Sequence, residues 1–254
     1  MDIQGQVAII TGGASGMGCA TAKRLSAKGA KVALLDINLA AAEKLAAEMG
    51  AMAVQCDVSR EASVVAALDA VRDQLGVARI CINCAGMVHG KRMVGKEGVM
   101  PLDEFRHVIE VNLIGTFNVM RLAADAMMTL DVLQASGERG VIINTASVAA
   151  YEGQIGQTAY SASKGGIVSL TLPAARELGS AGIRVMVIAP GLVDTPMFEK
   201  ISPEARASLA QMVPFPKRLA RPEEYAQLAE QIIENVMLNG EVIRLDGALR
   251  MQAK

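Results

Sequence analysis

The chain has 254 residues, of which 52% are hydrophobic and 20% are charged, and this balance excludes an intrinsically disordered protein. Its 25 basic and 26 acidic residues give a net charge of -1, which excludes the basic surplus of a non-specific nucleic-acid-binding protein. No apolar run approaches the ~18 to 20 residues that span a bilayer. Four cysteines give no disulfide framework and the first residues lack a targeting signal, so we predict a cytoplasmic protein without nucleic-acid or membrane partners.

Short β-branched segments alternate with longer amphipathic segments from end to end. This pattern predicts strands at residues 7–11, 31–36, 51–57, 79–84, 140–146, 183–189 and 241–245. It predicts helices at residues 16–28, 39–49, 62–75, 102–130, 158–178 and 222–234. Strands that are apolar on both faces and separated by single helices form a parallel sheet that is covered on both sides. We therefore predict one doubly wound α/β domain of the Rossmann type over residues 1–254, with about seven strands.

A glycine-rich turn, TGGASGMG at residues 11–18, lies between the first predicted strand and the first predicted helix. Gly12, Gly16 and Gly18 allow a tight turn in which N–H groups at the start of the helix face a pyrophosphate. The spacing departs from G-x-G-x-x-G, so an ordinary strand-to-helix corner stays an alternative. Asp36 ends the second strand, where a carboxylate accepts hydrogen bonds from an adenosine ribose and repels a 2′-phosphate. Together these residues predict a dinucleotide site that prefers NAD to NADP.

Cys81 and Cys84 have the spacing of a redox or zinc pair. Positions three apart in a strand point to opposite faces, so a structural role is favoured. His89 and His107 have no cluster of potential ligands around them in the sequence, and we predict no metal site.

The helix predicted at 102–130 is apolar nearly all round. One flank is expected to cover the sheet, and the other is expected to meet a partner subunit. Before this helix, residues 87–101 carry three glycines and a proline and are predicted to form a long loop.

Tyr160 and Lys164 lie four residues apart in a predicted helix and therefore share one face. A free phenol has a pKa near ~10, which a neighbouring ammonium or a positively charged nicotinamide ring lowers. Ser147 ends a buried strand, where its hydroxyl can hold a substrate oxygen, and Asn112 lies in a helix, which is unfavourable unless its amide has a task. Each residue alone has an ordinary structural explanation, but their combination with Asp36 and the glycine turn favours a catalytic site.

Residues 190–216 begin with Pro-Gly, end with Pro-Phe-Pro and include a short helix predicted at 203–212. Long excursions at the carboxyl ends of parallel strands are where α/β proteins build substrate sites, so we predict a substrate lid here. A variable surface loop is the alternative. Four apolar side chains are predicted to face an apolar substrate: Met197, Phe198, Met212 and Phe215.

Several motifs together resemble the short-chain dehydrogenase/reductase family over nearly the whole chain: TGxxxGxG at 11–18, NCAG at 83–86, Asn112, Ser147, YxxxK at 160–164 and Pro190-Gly191. The resemblance implies that Tyr160 is the acid/base, that Lys164 lowers its pKa and binds the nicotinamide ribose, and that Ser147 holds the substrate oxygen. It implies that Asn112 supports a water in a proton relay. It also implies a homotetramer and an NAD site formed by Gly12, Ser15, Gly16, Met17, Gly18, Asp36, Asp57, Val58, Cys84, Gly86, Tyr160, Lys164, Pro190, Val193 and Thr195.

Three segments, 140–191, 213–219 and 234–252, are similar to the branch of this family that acts on 3-hydroxyacyl-CoA. The resemblance therefore implies NAD-dependent interconversion of a 3-hydroxyacyl-CoA and a 3-oxoacyl-CoA. The alternatives are an NAD-linked hydroxysteroid or other secondary-alcohol dehydrogenase, and a 3-oxoacyl-carrier-protein reductase. Carrier-protein reductases usually use NADPH, which Asp36 disfavours. Outside the enzymes, an NAD-binding sensor or scaffold is possible, but such a protein needs no general base.

Overall fold

The computed structural model describes residues 1–96, 98–196 and 202–253, and its main sheet has seven strands. The strands are β1 (Val7–Thr11), β2 (Lys31–Asp36), β3 (Met52–Gln55), β4 (Ile80–Asn83), β5 (Gly140–Thr145), β6 (Ile183–Pro190) and β7 (Val242–Leu245). They lie in the order β3-β2-β1-β4-β5-β6-β7, and every neighbouring pair is parallel. The strand order reverses between β1 and β4, and ligands of doubly wound sheets bind at such a switch point. The predicted fold class is confirmed.

Helices cover both faces of the sheet. They are α1 (Gly16–Ala27), α2 (Leu39–Met49), α3 (Glu61–Leu75), α4 (Leu102–Ile109), α5 (Gly115–Met128), α6 (Thr158–Gly179), α7 (Pro203–Met212) and α8 (Pro222–Glu234). Successive strand residues enter opposite cores because their side chains alternate across the sheet. Ile10 and Ile143 pack with residues of α1, α2 and α8, while Ile9 and Ile142 pack with residues of α3, α5 and α6. This burial on both faces explains why the strands are continuously apolar.

The helix predicted at 102–130 is interrupted. A π-helical turn, Glu110–Ile114, separates α4 from α5, and fully buried Asn112 lies at its centre. Such turns occur mostly inside α-helices and often at functional sites. The apolar periodicity of the sequence predicts a helix here but does not distinguish a π turn from an α turn.

Other boundaries differ from the prediction by a few residues. The third and fourth strands are shorter than 51–57 and 79–84, and the predicted loop 87–101 contains a small hairpin that pairs Val94–Gly95 with Gly98–Val99. The short helix at Pro203–Met212 is confirmed, and its N-cap Ser202 accepts a hydrogen bond from the Ala205 N–H at 3.2 Å. Within the described ranges, we find no helix with the length and hydropathy needed to cross a membrane.

Candidate active site

A row of buried polar side chains marks the carboxyl ends of the three central strands. The Thr11 hydroxyl donates to Asn83 Oδ1 at 3.3 Å, and Asn83 Nδ2 donates to Asn144 Oδ1 at 2.9 Å. The Thr11 oxygen also accepts the N–H of Ala85 at 3.2 Å. Because buried polar groups require partners, this row fixes how the chain leaves β4. It therefore sets the backbone at 84–86, where the predicted dinucleotide and catalytic residues meet.

Close backbone packing explains the glycines of the turn. Gly12 has a φ of +62°, and a Cβ there would lie 2.8 Å from the backbone nitrogen of Ala85. A Cβ on Gly18 would lie 2.2 Å from the carbonyl oxygen of Gly12. The N-cap of α1, Ser15, makes no side-chain capping bond within the described residues, so the first N–H groups of this helix are available to an anion. The turn is therefore shaped for a phosphate group.

A cavity of about 370 Å³ runs along this turn. The predicted cofactor residues in its wall are Gly12, Ser15, Gly16, Met17, Gly18, Asp36, Asp57, Val58, Cys84, Gly86 and Thr195. Asp36 Oδ2 accepts the N–H of Ala14 at 3.0 Å, and Oδ1 accepts the N–H of Asn38 at 2.9 Å. These bonds hold the carboxylate in place while each oxygen keeps a further lone pair for a ribose hydroxyl. The cavity, the glycine turn and this acceptor fit a dinucleotide.

Asp57 has a more local task. Its Oδ1 accepts hydrogen bonds from the N–H of Ser59 at 3.0 Å and from the Ser59 hydroxyl at 2.6 Å. These bonds close the turn after β3 and place Asp57 and Val58 against the cavity.

A second cavity, also of about 370 Å³, contains the predicted catalytic residues Ser147, Tyr160 and Lys164. Pro190 and Val193 line this cavity as well. Five residues belong to the walls of both cavities: Met17, Cys84, Gly86, Met87 and Thr195. The dinucleotide cavity and the catalytic cavity are therefore adjacent, as a reaction between two bound molecules requires.

Lys164 is buried in this second cavity. Its Nζ donates to the carbonyl oxygen of Thr145 at 2.8 Å and lies 5.8 Å from the centroid of the Tyr160 ring. Burial disfavours the ammonium and lowers the pKa of Lys164 to about 8.

The expected lowering of the Tyr160 pKa by Lys164 is not what the structure gives. Burial disfavours the phenolate and raises the pKa of Tyr160, and the Ser147 hydroxyl acts in the opposite direction without reversing the shift. The Tyr160 phenol is therefore protonated at neutral pH in this environment.

Ser147 is the N-cap of a 3₁₀ turn, Val148–Ala150, that follows β5. Its Oγ accepts the N–H of Ala149 at 3.1 Å. This bond uses a lone pair and not the hydroxyl proton, so the Ser147 hydroxyl is able to donate to Tyr160 or to a substrate oxygen in the cavity.

The side-chain amide of Asn112 bonds the backbone beside the site, and the predicted support of a water stays a prediction. Its Oδ1 accepts the N–H of Met87 at 2.8 Å, and its Nδ2 donates to the Met87 carbonyl at 2.9 Å and to Ser163 Oγ at 3.1 Å. The amide therefore uses both of its N–H groups within the protein. It fixes the backbone of Met87, which lines both cavities.

The predicted lid, residues 190–216, is described only in part. Met197 and Phe198 lie outside the described residues, and Phe215 is 82% exposed. Neither Met212 nor Phe215 is among the described residues that line the two cavities, and their contact with an apolar substrate stays a prediction. From α7 it is Leu209 that reaches the wall of the catalytic cavity.

Sequence reasoning missed several residues of the site. The wall of the catalytic cavity also includes Gln154, Gln157 and Met251. The two glutamines shortly precede Tyr160 in the chain, and this proximity could have indicated that they lie in the same site. No local pattern in the sequence indicates Met251. The carboxyl-terminal segment that carries it is held beside the cavity by a hydrogen bond from the N–H of Ile155 to the Ala253 carbonyl at 3.0 Å.

The cysteines and the histidines show ordinary environments. Burial raises the pKa of Cys81 to about 12, which suits a core thiol, whereas Cys84 lines both cavities. His89 contacts Glu104 at 2.6 Å. Among the residues described, no three His, Cys, Asp or Glu side chains are grouped as a metal site requires.

Comparison with known proteins decides the family. The family model for short chain dehydrogenase matches residues 6–206. The chain belongs to the short-chain dehydrogenase family. It is therefore an oxidoreductase, and the resemblance noted in the sequence is confirmed.

Relatives of this short-chain dehydrogenase match nearly its whole length. The 3-hydroxyacyl-CoA dehydrogenase type-2 of Bos taurus is 53% identical, and the human protein of that name is 52% identical, each over 98% of this chain and 97% of the relative. The crystal structure of 3-hydroxyacyl-CoA dehydrogenase type-2 from Mycobacterium avium has a TM-score of 0.94 and 44% identity, with 98% of each chain covered. The structure of 3-ketoacyl-(acyl-carrier-protein) reductase from Brucella melitensis complexed with NADH has a TM-score of 0.87 and 32% identity, covering 98% of this chain and 100% of that chain.

Proposed function

We propose that this dehydrogenase uses NAD(H) to interconvert a 3-hydroxyacyl-CoA and a 3-oxoacyl-CoA. The observation that carries the proposal is the position of Ser147, Tyr160 and Lys164 in one cavity that shares a wall with the glycine-lined cavity ending at Asp36. The substrate class is supported by relatives named 3-hydroxyacyl-CoA dehydrogenase type-2, which match over 98% of this chain.

The cofactor is NAD(H) rather than NADP(H) because of the charge at the end of the first cavity. The Asp36 carboxylate accepts ribose hydroxyls and repels a 2′-phosphate. Positions 14 and 15 of the glycine turn are Ala14 and Ser15, so neither carries the positive charge that would neutralise a 2′-phosphate. A structural relative that is 32% identical was solved as a complex with NADH. When bound, NAD supplies the acceptor for the hydride that leaves the substrate carbon.

The side chains of this chain handle the oxygen and the proton. In oxidation, the Tyr160 phenolate takes the proton of the substrate hydroxyl, and in reduction the Tyr160 phenol donates a proton to the carbonyl oxygen. Ser147 donates a hydrogen bond to that oxygen and orients it. The Lys164 ammonium stabilises negative charge on the phenolate. Since burial raises the pKa of Tyr160, the phenol is ready to donate at neutral pH, and oxidation is expected to accelerate as the pH rises.

A steady-state assay tests the proposal. Purified protein is given acetoacetyl-CoA, a longer 3-oxoacyl-CoA or a keto steroid, with NADH or NADPH as reductant. We expect NADH oxidation with the acyl-CoA substrates and a kcat/KM at least about tenfold lower with NADPH. Turnover of the steroid alone would replace the substrate assignment, and NADH binding without any turnover would favour a sensor.

We also propose the homotetramer. Ile114 and Phe117 around the start of α5 are 48% and 50% exposed, and Leu172 on α6 is 45% exposed. Such exposed apolar side chains on neighbouring helices are typical of subunit interfaces. Light scattering at the mass of a monomer would contradict this assembly. The cytoplasmic location and the single domain over residues 1–254 stay predictions.

A further inference from the structure

A closed group of three polar side chains lies in the core beside the active site. Tyr225 of α8, Thr145 at the end of β5 and Cys84 after β4 form it. The Tyr225 hydroxyl lies 2.7 Å from Thr145 Oγ1, Thr145 Oγ1 lies 3.7 Å from Cys84 Sγ, and Cys84 Sγ lies 3.6 Å from the Tyr225 hydroxyl. The Tyr225 side chain is fully buried. We call these three residues the hydroxyl–thiol ring.

The ring satisfies each of its members. The Cys84 thiol donates to Tyr225, the Tyr225 hydroxyl donates to Thr145, and the Thr145 hydroxyl donates to Cys84, so each group gives one hydrogen bond and receives one. Packing alone does not require this arrangement, because a phenylalanine has nearly the same shape as Tyr225. Removing one hydroxyl would leave buried partners unsatisfied.

The ring is connected to the active site through the backbone of Thr145. The carbonyl oxygen of Thr145 accepts the hydrogen bond from Lys164 Nζ at 2.8 Å. Pairing between β4 and β5 ends one residue earlier, at Asn83 and Asn144, while pairing with β6 continues to Thr145. Thr145 is therefore paired with β6 but not with β4. On the β4 side, the Thr145 hydroxyl is held by its contacts with Cys84 and Tyr225.

We propose that Tyr225 is a positioning residue for catalysis, which acts through Thr145 to hold the ammonium of Lys164 beside Tyr160. Tyr225 reaches this point from α8, whose buried residues pack with α1, whereas Lys164 comes from α6, whose Ala175 packs in the opposite core. The ring thus links the helix layers on the two faces of the sheet at the position of the catalytic lysine. This role rests on the proposed dehydrogenase function.

The charge state of Lys164 is the expected readout. Among the described residues, the titratable groups that face its amine are Tyr160 on its own helix and Cys84 after β4. Tyr225 on α8 acts on it through Thr145 and Cys84. Burial raises the pKa of the Cys84 thiol, so this thiol brings no full negative charge that would hold the ammonium. The Thr145 carbonyl accepts a hydrogen bond from the amine and so favours its charged form, and displacing this carbonyl is expected to lower the pKa of Lys164 further.

The test compares Tyr225→Phe with Tyr151→Phe, a control at a tyrosine that is 47% exposed. We expect Tyr225→Phe to keep the KM for NADH within about threefold and to lower kcat about tenfold. In the reduction direction, the alkaline limb of the kcat profile is expected to move to lower pH by about one unit, because a less stabilised ammonium deprotonates earlier. Wild-type kcat with an unshifted pH profile in Tyr225→Phe would overturn the proposal.

Two further measurements separate this inference from the proposed function and from misfolding. The pKa of Lys164 is measured by NMR of protein carrying ¹³C-labelled lysine, which requires no turnover, and Tyr225→Phe is expected to lower it. An unchanged Lys164 pKa contradicts the inference even if the enzyme is active, whereas a lowered pKa supports it even if no acyl-CoA is turned over. Thr145→Val opens the same ring from β5, and the double variant is expected to be no worse than the more affected single variant. Additive losses would contradict a shared ring.

Discussion

The dinucleotide cavity and the catalytic cavity have similar volumes but are built in different ways. The dinucleotide cavity is formed by the ends of β1 to β4 and the first turn of α1, where a Cβ on Gly12 or Gly18 would overlap backbone atoms. The catalytic cavity is bounded by β5, by α6 and by residues 190–195 after β6, and its wall also takes side chains from distant segments, namely Leu209 of α7 and Met251 near the carboxyl terminus. The comparison indicates that cofactor binding depends on the backbone of the sheet, whereas substrate choice depends on side chains of distant segments.

Replacing the phenol in the catalytic cavity should separate chemistry from binding most strongly. Tyr160→Phe removes the group that exchanges the proton, and a loss of kcat of about 10³-fold is expected. NADH binding, measured by fluorescence, should stay within a few-fold of wild type. Tyr151→Phe serves as the matched control with full activity, and appreciable turnover by Tyr160→Phe would refute its role.

The next largest effect is expected in the dinucleotide cavity. Gly18→Ala places a methyl group 2.2 Å from the Gly12 carbonyl oxygen, so the turn must open and NADH should bind about 100-fold more weakly. Gly179→Ala is the control, because a Cβ at Gly179 meets nothing within 4 Å. If titration calorimetry finds equal affinities for the two variants, the backbone cradle is not what binds the phosphates.

A third variant tests whether the charge of Asp36 in the dinucleotide cavity selects the cofactor. Asp36→Asn removes the negative charge but keeps an oxygen that can accept the Ala14 N–H. The preference in kcat/KM for NADH over NADPH should fall by about 10-fold to 100-fold, because the 2′-phosphate is no longer repelled. Asp73→Asn, at a side chain that is 69% exposed, should leave the ratio unchanged. If the kcat/KM ratio of NADH to NADPH is unaltered in Asp36→Asn, the charge of Asp36 does not select the cofactor.

The dinucleotide cavity was predictable because its signals are local. The turn at 11–18 and Asp36 lie at the ends of adjacent strands that continuous apolar runs identify. Cys84 and Thr195, which lie far from this turn along the chain, were assigned to the site by the family resemblance. Ser147, Tyr160 and Lys164 were found for the same reason, since one strand end and one helix turn carry them.

The other parts of the site depend on contacts that no local pattern encodes. The π turn at Asn112 places its amide against the Met87 backbone, and a hydropathy pattern does not distinguish a π turn from an α turn. The direction of the Tyr160 pKa shift was also missed, because burial of the phenol raises its pKa and burial is a tertiary property. Tyr225 enters from a helix 61 residues beyond Lys164, and no spacing in the sequence indicates that meeting.

The smallest effect tests the wall that the carboxyl-terminal segment supplies. Met251→Ala shortens a side chain of the catalytic cavity, which should relax selection by acyl length without altering the proton-transferring groups. Relative to acetoacetyl-CoA, kcat/KM for an eight-carbon 3-oxoacyl-CoA is expected to rise about threefold to tenfold, within what a pocket gains from one or two methylenes. Met237→Ala, at a side chain that is 89% exposed, is the control. If the ratio changes equally in both variants, the segment around Met251 does not contact the acyl chain, and selection by acyl length must come from other parts of the wall.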